Sequence, residues 1–411
     1  MKPSQTQLRR DYFWNTAASL MNSLSAVVML MIVSRVADVT TAGVFAFAFA
    51  LGQQFQTLGI YEVRTFHITD VNMLFGFNTY AATRVITTFL MIVGICLYSF
   101  IAYSFTQGAI LVILIASLRV YDSAEDVIVS EFQRIGKLDL AARANFFRML
   151  FTTLSLGVAL IVTHDLLLST ISSLIISLIV FIIVYIPLSA RHFSLKITWR
   201  FDEIKVVLIE CFPIFVASFL AMFIANAPRY AIDFYLDQKA QGYFAIIFMP
   251  AVTINLFSLF VFRPLMVPLA KNWVNNKLAD FLTIIKKGVL ASIIAFAAVL
   301  VVTVVAGPPI LKLVFGQDVS HLLVELVVLV IAGAGNALSI IFYYSLVTIR
   351  KQNYAFYGFF SAAITVVILS IVFIPSMQLL GACIAYAIAM LVLNLVFFAF
   401  LKMSINQKKE S

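Results

Sequence analysis

Twelve apolar runs, each long enough to cross a bilayer, take up nearly the whole chain. A hydrocarbon core about 30 Å thick needs roughly 20 residues of helix rising about 1.5 Å each. Runs of that kind fall at 12–37, 41–61, 80–105, 108–129, 142–163, 165–189, 207–235, 240–263, 281–306, 320–348, 354–375 and 378–402. The longest connections, near 62–79, 130–141, 190–206 and 264–280, can hold short amphipathic helices but no independent core. Composition agrees, since 63% hydrophobic and 11% charged residues, with a mean hydropathy of +1.04, cannot cover a water-facing surface. The expected fold is an all-α integral membrane protein with twelve transmembrane helices.

The basic residues orient those helices. With the N-terminus (Lys2, Arg9, Arg10) inside, about 24 of the 28 Lys and Arg fall on the cytoplasmic side, and only Arg35, Arg229, Lys239 and Lys312 fall outside. The positive-inside rule therefore puts both termini in the cytoplasm of a multi-pass protein. The net charge of +9 speaks of topology and anionic headgroups rather than nucleic acid. The first apolar run, about 26 residues with no small-residue cleavage pattern, reads as an uncleaved first span.

A weak internal repeat organises the spans. DVTTAGVFA at Asp38 to Ala46 is echoed by DQKAQGYFA at Asp237 to Ala245, an offset of 199 residues. The same offset superposes Ala18 on Ala217, Ser19 on Ser218, Phe49 on Phe248, Gln56 on Asn255 and Arg64 on Arg263. Six spans per half is an even number, so both halves enter the membrane in the same direction. The expectation is two parallel-repeat six-helix lobes, residues 1–200 (spans 1–6) and 201–411 (spans 7–12), around a central cavity, as in two-lobed alternating-access transporters. The basic stretch at 191–205 joins them. The repeated Asp and Gly read as an outer hairpin turn, with Asp available as a helix cap.

Polar residues inside spans are expensive and therefore informative. Arg35 lies three residues before Asp38, where a snorkelling ion pair and a cavity cation both fit. Arg64 and Arg263 end spans 2 and 8, as positive-inside anchors or as a symmetry-related cationic mouth. Span 7 contains NAPRYAID at 226–233, in which Pro228 is expected to kink or break the helix beside Asn226, Arg229 and Asp233. Arg229 and Asp233, four apart, suit either an internal ion pair or a substrate role. Pro250 suggests a second hinge, and Gly333 and Gly335 a point of close packing. Glu325 reads as the one carboxylate well inside an apolar run, with His321 four residues earlier as a partner for a proton or coupling ion, or simply as a helix-end pair. Asn22, Gln53, Gln54, Gln56, Asn255, Asn336 and Asn394 can either line a cavity that takes sugar hydroxyls or make interhelical packing bonds.

No catalytic grouping, phosphate loop or metal-ligand spacing stands out, and no cofactor or metal is implied. Cys96, Cys211 and Cys383 lie separately in apolar runs and read as packing residues. Without a P-loop, any energy coupling falls to ion gradients, membrane potential or the substrate gradient.

NAPRYAIDFYL at 226–236 and FAIIFMPAVTINLFSLFVFRPL at 244–265 resemble the oligosaccharide flippases of the multidrug/oligolipid/polysaccharide exporter superfamily, the capsule and O-antigen repeat-unit transporters. EVRTFHITD at 62–70 and EFQRIGKLDLAARANFFR at 131–148 are similar to the cytoplasmic segments after spans 2 and 4 in that family. The resemblance implies a V-shaped central cavity and an undecaprenyl-pyrophosphate-linked oligosaccharide as cargo, moved from inner to outer leaflet of a bacterial cytoplasmic membrane. It also implies a polysaccharide polymerase and glycosyltransferases as partners besides membrane lipids, and pyrophosphate contacts from cavity arginines, for which Arg35, Arg64, Arg229 and Arg263 are the candidates. Gln53, Gln56, Asn226 and Asn255 are the candidates for the sugar. Three rivals stand beside it. An ion-coupled multidrug antiporter of the same superfamily should have a carboxylate deep in its first lobe, where none is evident near the midplane of spans 2–6. A peptidoglycan-precursor flippase typically has two further spans, and a membrane polymerase a large outer loop.

Overall fold

The computed structural model describes residues 5–70, 73–104, 106–262 and 265–410, with side chains at all of these except 5, 255–261, 352, 409 and 410. It is 89% helical with no strand among the described residues. Nine helices there are long and apolar enough to cross a membrane, which makes the chain a multi-pass membrane protein. The difference from the twelve expected runs has local causes. Helix α2 (Val39–Ile60) carries Gln53, Gln54 and Gln56, which lower its hydropathy. The run at 240–263 is divided at Phe248 into α11 (Gln238–Ile247) and α12 (Met249–Phe262). The last two runs continue into each other as α16 (Gln352–Glu410), with a kink at Gln378 (φ 50°, ψ −127°).

Two compact units divide the chain at Met222 and Phe223. The first contains α1 (Gln5–Val36), α2, α3 (Val63–Thr69), α4 (Phe77–Tyr103), α5 (Gln107–Ser117), α6 (Val120–Arg134), α7 (Leu138–Thr163), α8 (Leu166–Val180), a π-helical turn, α9 (Ile186–Ala190) and the start of α10 (Phe201–Tyr235). The division falls inside α10, whose early turns pack on the first unit. Val207 and Cys211 join Tyr80, Phe132 and Tyr185 in its core, and Phe215 stacks on Tyr61 at 4.3 Å. The second unit holds the rest of α10, α11, α12, α13 (Met266–Val274), α14 (Leu278–Phe315), α15 (Leu323–Thr348) and α16.

Each unit uses the repeat in the same two ways. Asp38 caps α2 by accepting from the Thr41 amide at 2.7 Å, and Asp237 caps α11 by accepting from the Ala240 amide at 2.7 Å. Small residues then let two helices meet. A Cβ on Gly52 of α2 would stand 2.7 Å from the carbonyl oxygen of Ala116 on α5, and one on Gly333 of α15 would stand 2.8 Å from Cα of Ala251 on α12. Gly52 and Ala251 are equivalent at the offset of 199, so the repeat marks one helix crossing made once per unit.

Candidate functional site

Helix α6 gathers the charge of the first unit. Asp122, Glu125, Asp126 and Glu131 are all buried on it, contrary to the expectation that Glu325 is the one carboxylate inside an apolar run. Their cost is met by pairing. Arg148 of α7, fully buried, donates from Nε and Nη2 to Glu125 at 2.8 Å and also bonds Asp122, which takes a second bond from Arg119 at 2.6 Å. Asn145 bonds Glu125 and accepts from Asn22 at 3.1 Å, tying α1 to α7.

One turn further along α6, Asp126 takes Arg84 from α4 at 2.7 Å and Arg64 from α3 at 3.3 Å. Arg84 also bonds the carbonyl of Gly59, and Arg64 donates to Gln133 at 2.8 Å. Beyond them His67 Nε2 and Glu131 lie 2.7 Å apart, while Arg134 holds the same carboxylate at 2.8 Å. Tyr80 stacks on His67 at 4.0 Å and donates to Asp70.

Glu62 enters this cluster through Asp126 and Arg84. Tyr61 and Glu62 both have left-handed backbone, φ 49° and 53°, where α2 turns into α3. Burial pushes the Glu62 carboxyl above its ordinary range, with a hydrogen bond from Ser218 opposing and the Asp126 charge adding. Burial pushes the His67 imidazole down, against its bond to Glu131. Six carboxylates (Glu62, Asp70, Asp122, Glu125, Asp126, Glu131) thus face five guanidinium groups (Arg64, Arg84, Arg119, Arg134, Arg148) in the cluster. Sequence reading missed it because each Arg was counted as a loop anchor. The available signal was three acids within five residues of one helix.

Arg64 is therefore a member of an ion-paired cluster, with its side chain 34% exposed. Its repeat partner Arg263 lies outside the described residues, and so does the side chain of Asn255. Arg35 is exposed on the last turn of α1. Gln53 and Gln56 are half-buried, whereas Gln54 is buried and donates to the Phe219 carbonyl at 3.2 Å.

In the second unit the surroundings of Arg229 are different. It is buried at 9% exposure, donates to Asn226 Oδ1 at 3.0 Å, and lies over the rings of Phe248 at 4.9 Å and Phe244 at 5.8 Å. Of the two readings of Arg229 and Asp233, the ion pair does not form among the described residues; Asp233 accepts from Gln238 at 2.8 Å. No carboxylate among the described residues lies within ion-pair distance of Arg229. Nor does α10 break at Pro228: its helix runs on from Phe201 to Tyr235, because one missing amide removes one bond and the flanking turns persist. The interruption at Phe248 falls two residues before Pro250.

Glu325 stands in the first turn of α15, and His321 is exposed in the 3-10 turn before it, edge-on to Tyr243 at 5.2 Å. No bond joins the two among the described residues. The helix path changes from 3-10 to α between them, so spacing of four does not bring them together as it would on one α-helix. Asn394 reaches the Gly335 carbonyl at 2.7 Å, an interhelical packing bond. Among the described residues no three His, Cys, Asp or Glu groups converge as metal ligands.

These helices form a multi-pass membrane fold of the kind found in transporters of the MOP superfamily. The chain aligns with the lipid II flippase MurJ in an inward closed conformation at a TM-score of 0.72 and 13% identity, covering 94% of this chain and 87% of that one. An inward-facing multidrug resistance MATE family transporter aligns at 0.64 and 15% identity over 100% of this chain and 96% of that one. The eukaryotic MATE transporter AtDTX14 aligns at 0.61 and 13%, over 98% of each. No family model and no curated protein matches the sequence.

Proposed function

We propose that this protein is a flippase that moves undecaprenyl-pyrophosphate-linked oligosaccharide repeat units from the inner to the outer leaflet of a bacterial cytoplasmic membrane, for surface polysaccharide. The reading includes twelve spans in two parallel six-helix lobes, residues 1–200 and 201–411, around a central cavity, with both termini cytoplasmic. It treats the protein as a carrier rather than an enzyme, working beside a polymerase and glycosyltransferases.

Arg229 carries the proposal. A buried guanidinium that has a neutral acceptor, ring faces and no acid within ion-pair distance among the described residues keeps donors in reserve for a bidentate anion such as pyrophosphate. The likeness to a lipid II flippase supports a lipid-linked cargo. In the mechanism, Arg64 and Arg263 capture the anionic headgroup at the cytoplasmic mouth, Arg229 and Arg35 bind it further along, and Gln53, Gln56, Asn226 and Asn255 take the sugar while the prenyl tail stays in the bilayer. Bending near Pro228 and Pro250 accompanies the exchange of access, with Glu325 and His321 as candidates for ion coupling.

The test is a deletion strain complemented with variants, scored for lipid-linked repeat units on the cytoplasmic face. Arg229→Glu should give accumulation as severe as the deletion, and Arg229→Lys partial export. Full export by Arg229→Glu at normal protein level would sink the reading.

A second reading, an ion-coupled multidrug antiporter, draws on the buried acids of α6 in the first unit. The MATE likeness supports it as well. Altered drug resistance in the deletion strain, with surface polysaccharide unchanged, would favour it.

A further inference from the structure

The first unit has an apolar groove on its surface, about 470 Å³, which neither the charge cluster nor the transport reading uses. Its walls are Tyr61 at the α2–α3 turn, Ile86 of α4, and Ile204, Leu208 and Phe212 of α10. The volume is that of an ordinary small-molecule site. Lys205 is the one charged residue among the eight that line it. It is exposed, and no carboxylate among the described residues lies within ion-pair distance, whereas neighbouring Arg200 is held by Glu203 at 2.8 Å.

The position of the groove indicates what fills it. Helix α10 starts at Phe201, so Lys205 stands about 6 Å along it at a rise of about 1.5 Å per residue. Three of the lining side chains, Phe201, Ile209 and Phe212, are apolar and exposed, as suits contact with acyl chains. A cleft of this kind in a bilayer is filled by hydrocarbon, and an exposed lysine on a flexible stem near the start of the helix reaches the phosphate level.

We propose that the groove is a binding site for one anionic phospholipid of the leaflet at that end, with an acyl chain between Ile86 and Leu208 and the phosphate on Lys205. The site bears on the strained turn. Tyr61, left-handed at φ 49° and stacked on Phe215, forms part of the wall, and the next residue is Glu62 of the charge cluster. A chain seated against Tyr61 holds that turn, so the lipid also stabilises the junction carrying Arg64 and His67.

The test uses the full-length protein in detergent with an equal mixture of phosphatidylglycerol and phosphatidylcholine, read by native mass spectrometry. One phosphatidylglycerol per chain should be retained, at least fivefold over phosphatidylcholine, and the melting temperature should rise with it. Leu208→Trp and Ile86→Trp, which fill the groove from opposite walls, should abolish retention. Lys205→Glu should remove the preference and Lys205→Arg keep it. Leu290→Trp, on an exposed apolar position of α14, should change nothing. Equal retention of the two lipids, or unchanged retention in both groove-filling variants, overturns the proposal. So does displacement of phosphatidylglycerol by undecaprenyl phosphate at lower concentration, which would assign the groove to cargo. The mixture contains no glycolipid, so the outcome is independent of the transport reading.

Discussion

The two units put buried arginine to opposite uses. In the first, Arg148 is enclosed by Glu125 and Asp122, and Arg84 by Asp126 and a backbone carbonyl. In the second, Arg229 is buried against Asn226 and two phenylalanine rings with no acid within ion-pair distance among the described residues. A fully paired guanidinium has its donors committed and stiffens the helices it joins. One solvated only by a neutral oxygen and ring faces keeps binding capacity for an incoming anion. Burial alone therefore does not separate a structural charge from a candidate binding charge; the partner does.

The sharpest way to break this comparison is to remove both guanidiniums. Arg148→Met leaves Asp122 and Glu125 buried with too little positive charge, and should cost about 3–5 kcal/mol. Arg229→Met removes an unmatched charge and should stay within about 1 kcal/mol in stability while stopping export. Melting temperatures in detergent, read beside the export assay, check both. Equal losses would erase the distinction.

The helix crossing shared by the units should behave symmetrically. Gly52→Ala and Gly333→Ala each drive a methyl into facing backbone at under 3 Å, and each should cost about 1–3 kcal/mol. A loss in one unit only would argue against a common crossing. Smaller still, Asp38→Ala and Asp237→Ala should each cost about 1 kcal/mol through the lost cap.

The smallest effect is in pH dependence, where two groups of the first unit pull in opposite directions. The Glu62 carboxyl is raised, so its contribution is complete below its ordinary value of 4.5 and is lost as pH rises through the folded value. His67 is lowered, so its contribution is complete above 6.5 and is lost as pH falls. Glu62→Gln should therefore raise the melting temperature at pH 8 and lose that advantage near pH 4.5. His67→Gln should flatten the decline below pH 6.5. Variant profiles parallel to the parent would dismiss both assignments.

Much of the architecture was legible along the chain. The apolar runs located the long helices, and the Asp38/Asp237 echo located two caps of matching geometry. The site was less legible. Arg64 looked like half of a cationic mouth, but in the structure it is bonded to Asp126 and Gln133. Asp122, Glu125 and Asp126 went unremarked beside Glu325, but they are the acid side of a buried cluster. Spacing of four paired Arg229 with Asp233 and His321 with Glu325, and neither pair bonds, because other partners or a change of helix type redirect the side chains.

The sequence by itself determined that this chain crosses a membrane many times as helices and repeats a capped turn. Those features follow from local periodicity, chain length against bilayer thickness, and hydrogen bonds within a few residues. Only the tertiary structure decided which charges cancel and which stay available. That outcome depends on distances between α3, α4, α6 and α7, whose arginines and carboxylates are up to 84 residues apart from Arg64 to Arg148. In a low-dielectric interior a few ångströms separate an ion pair from an unmatched charge.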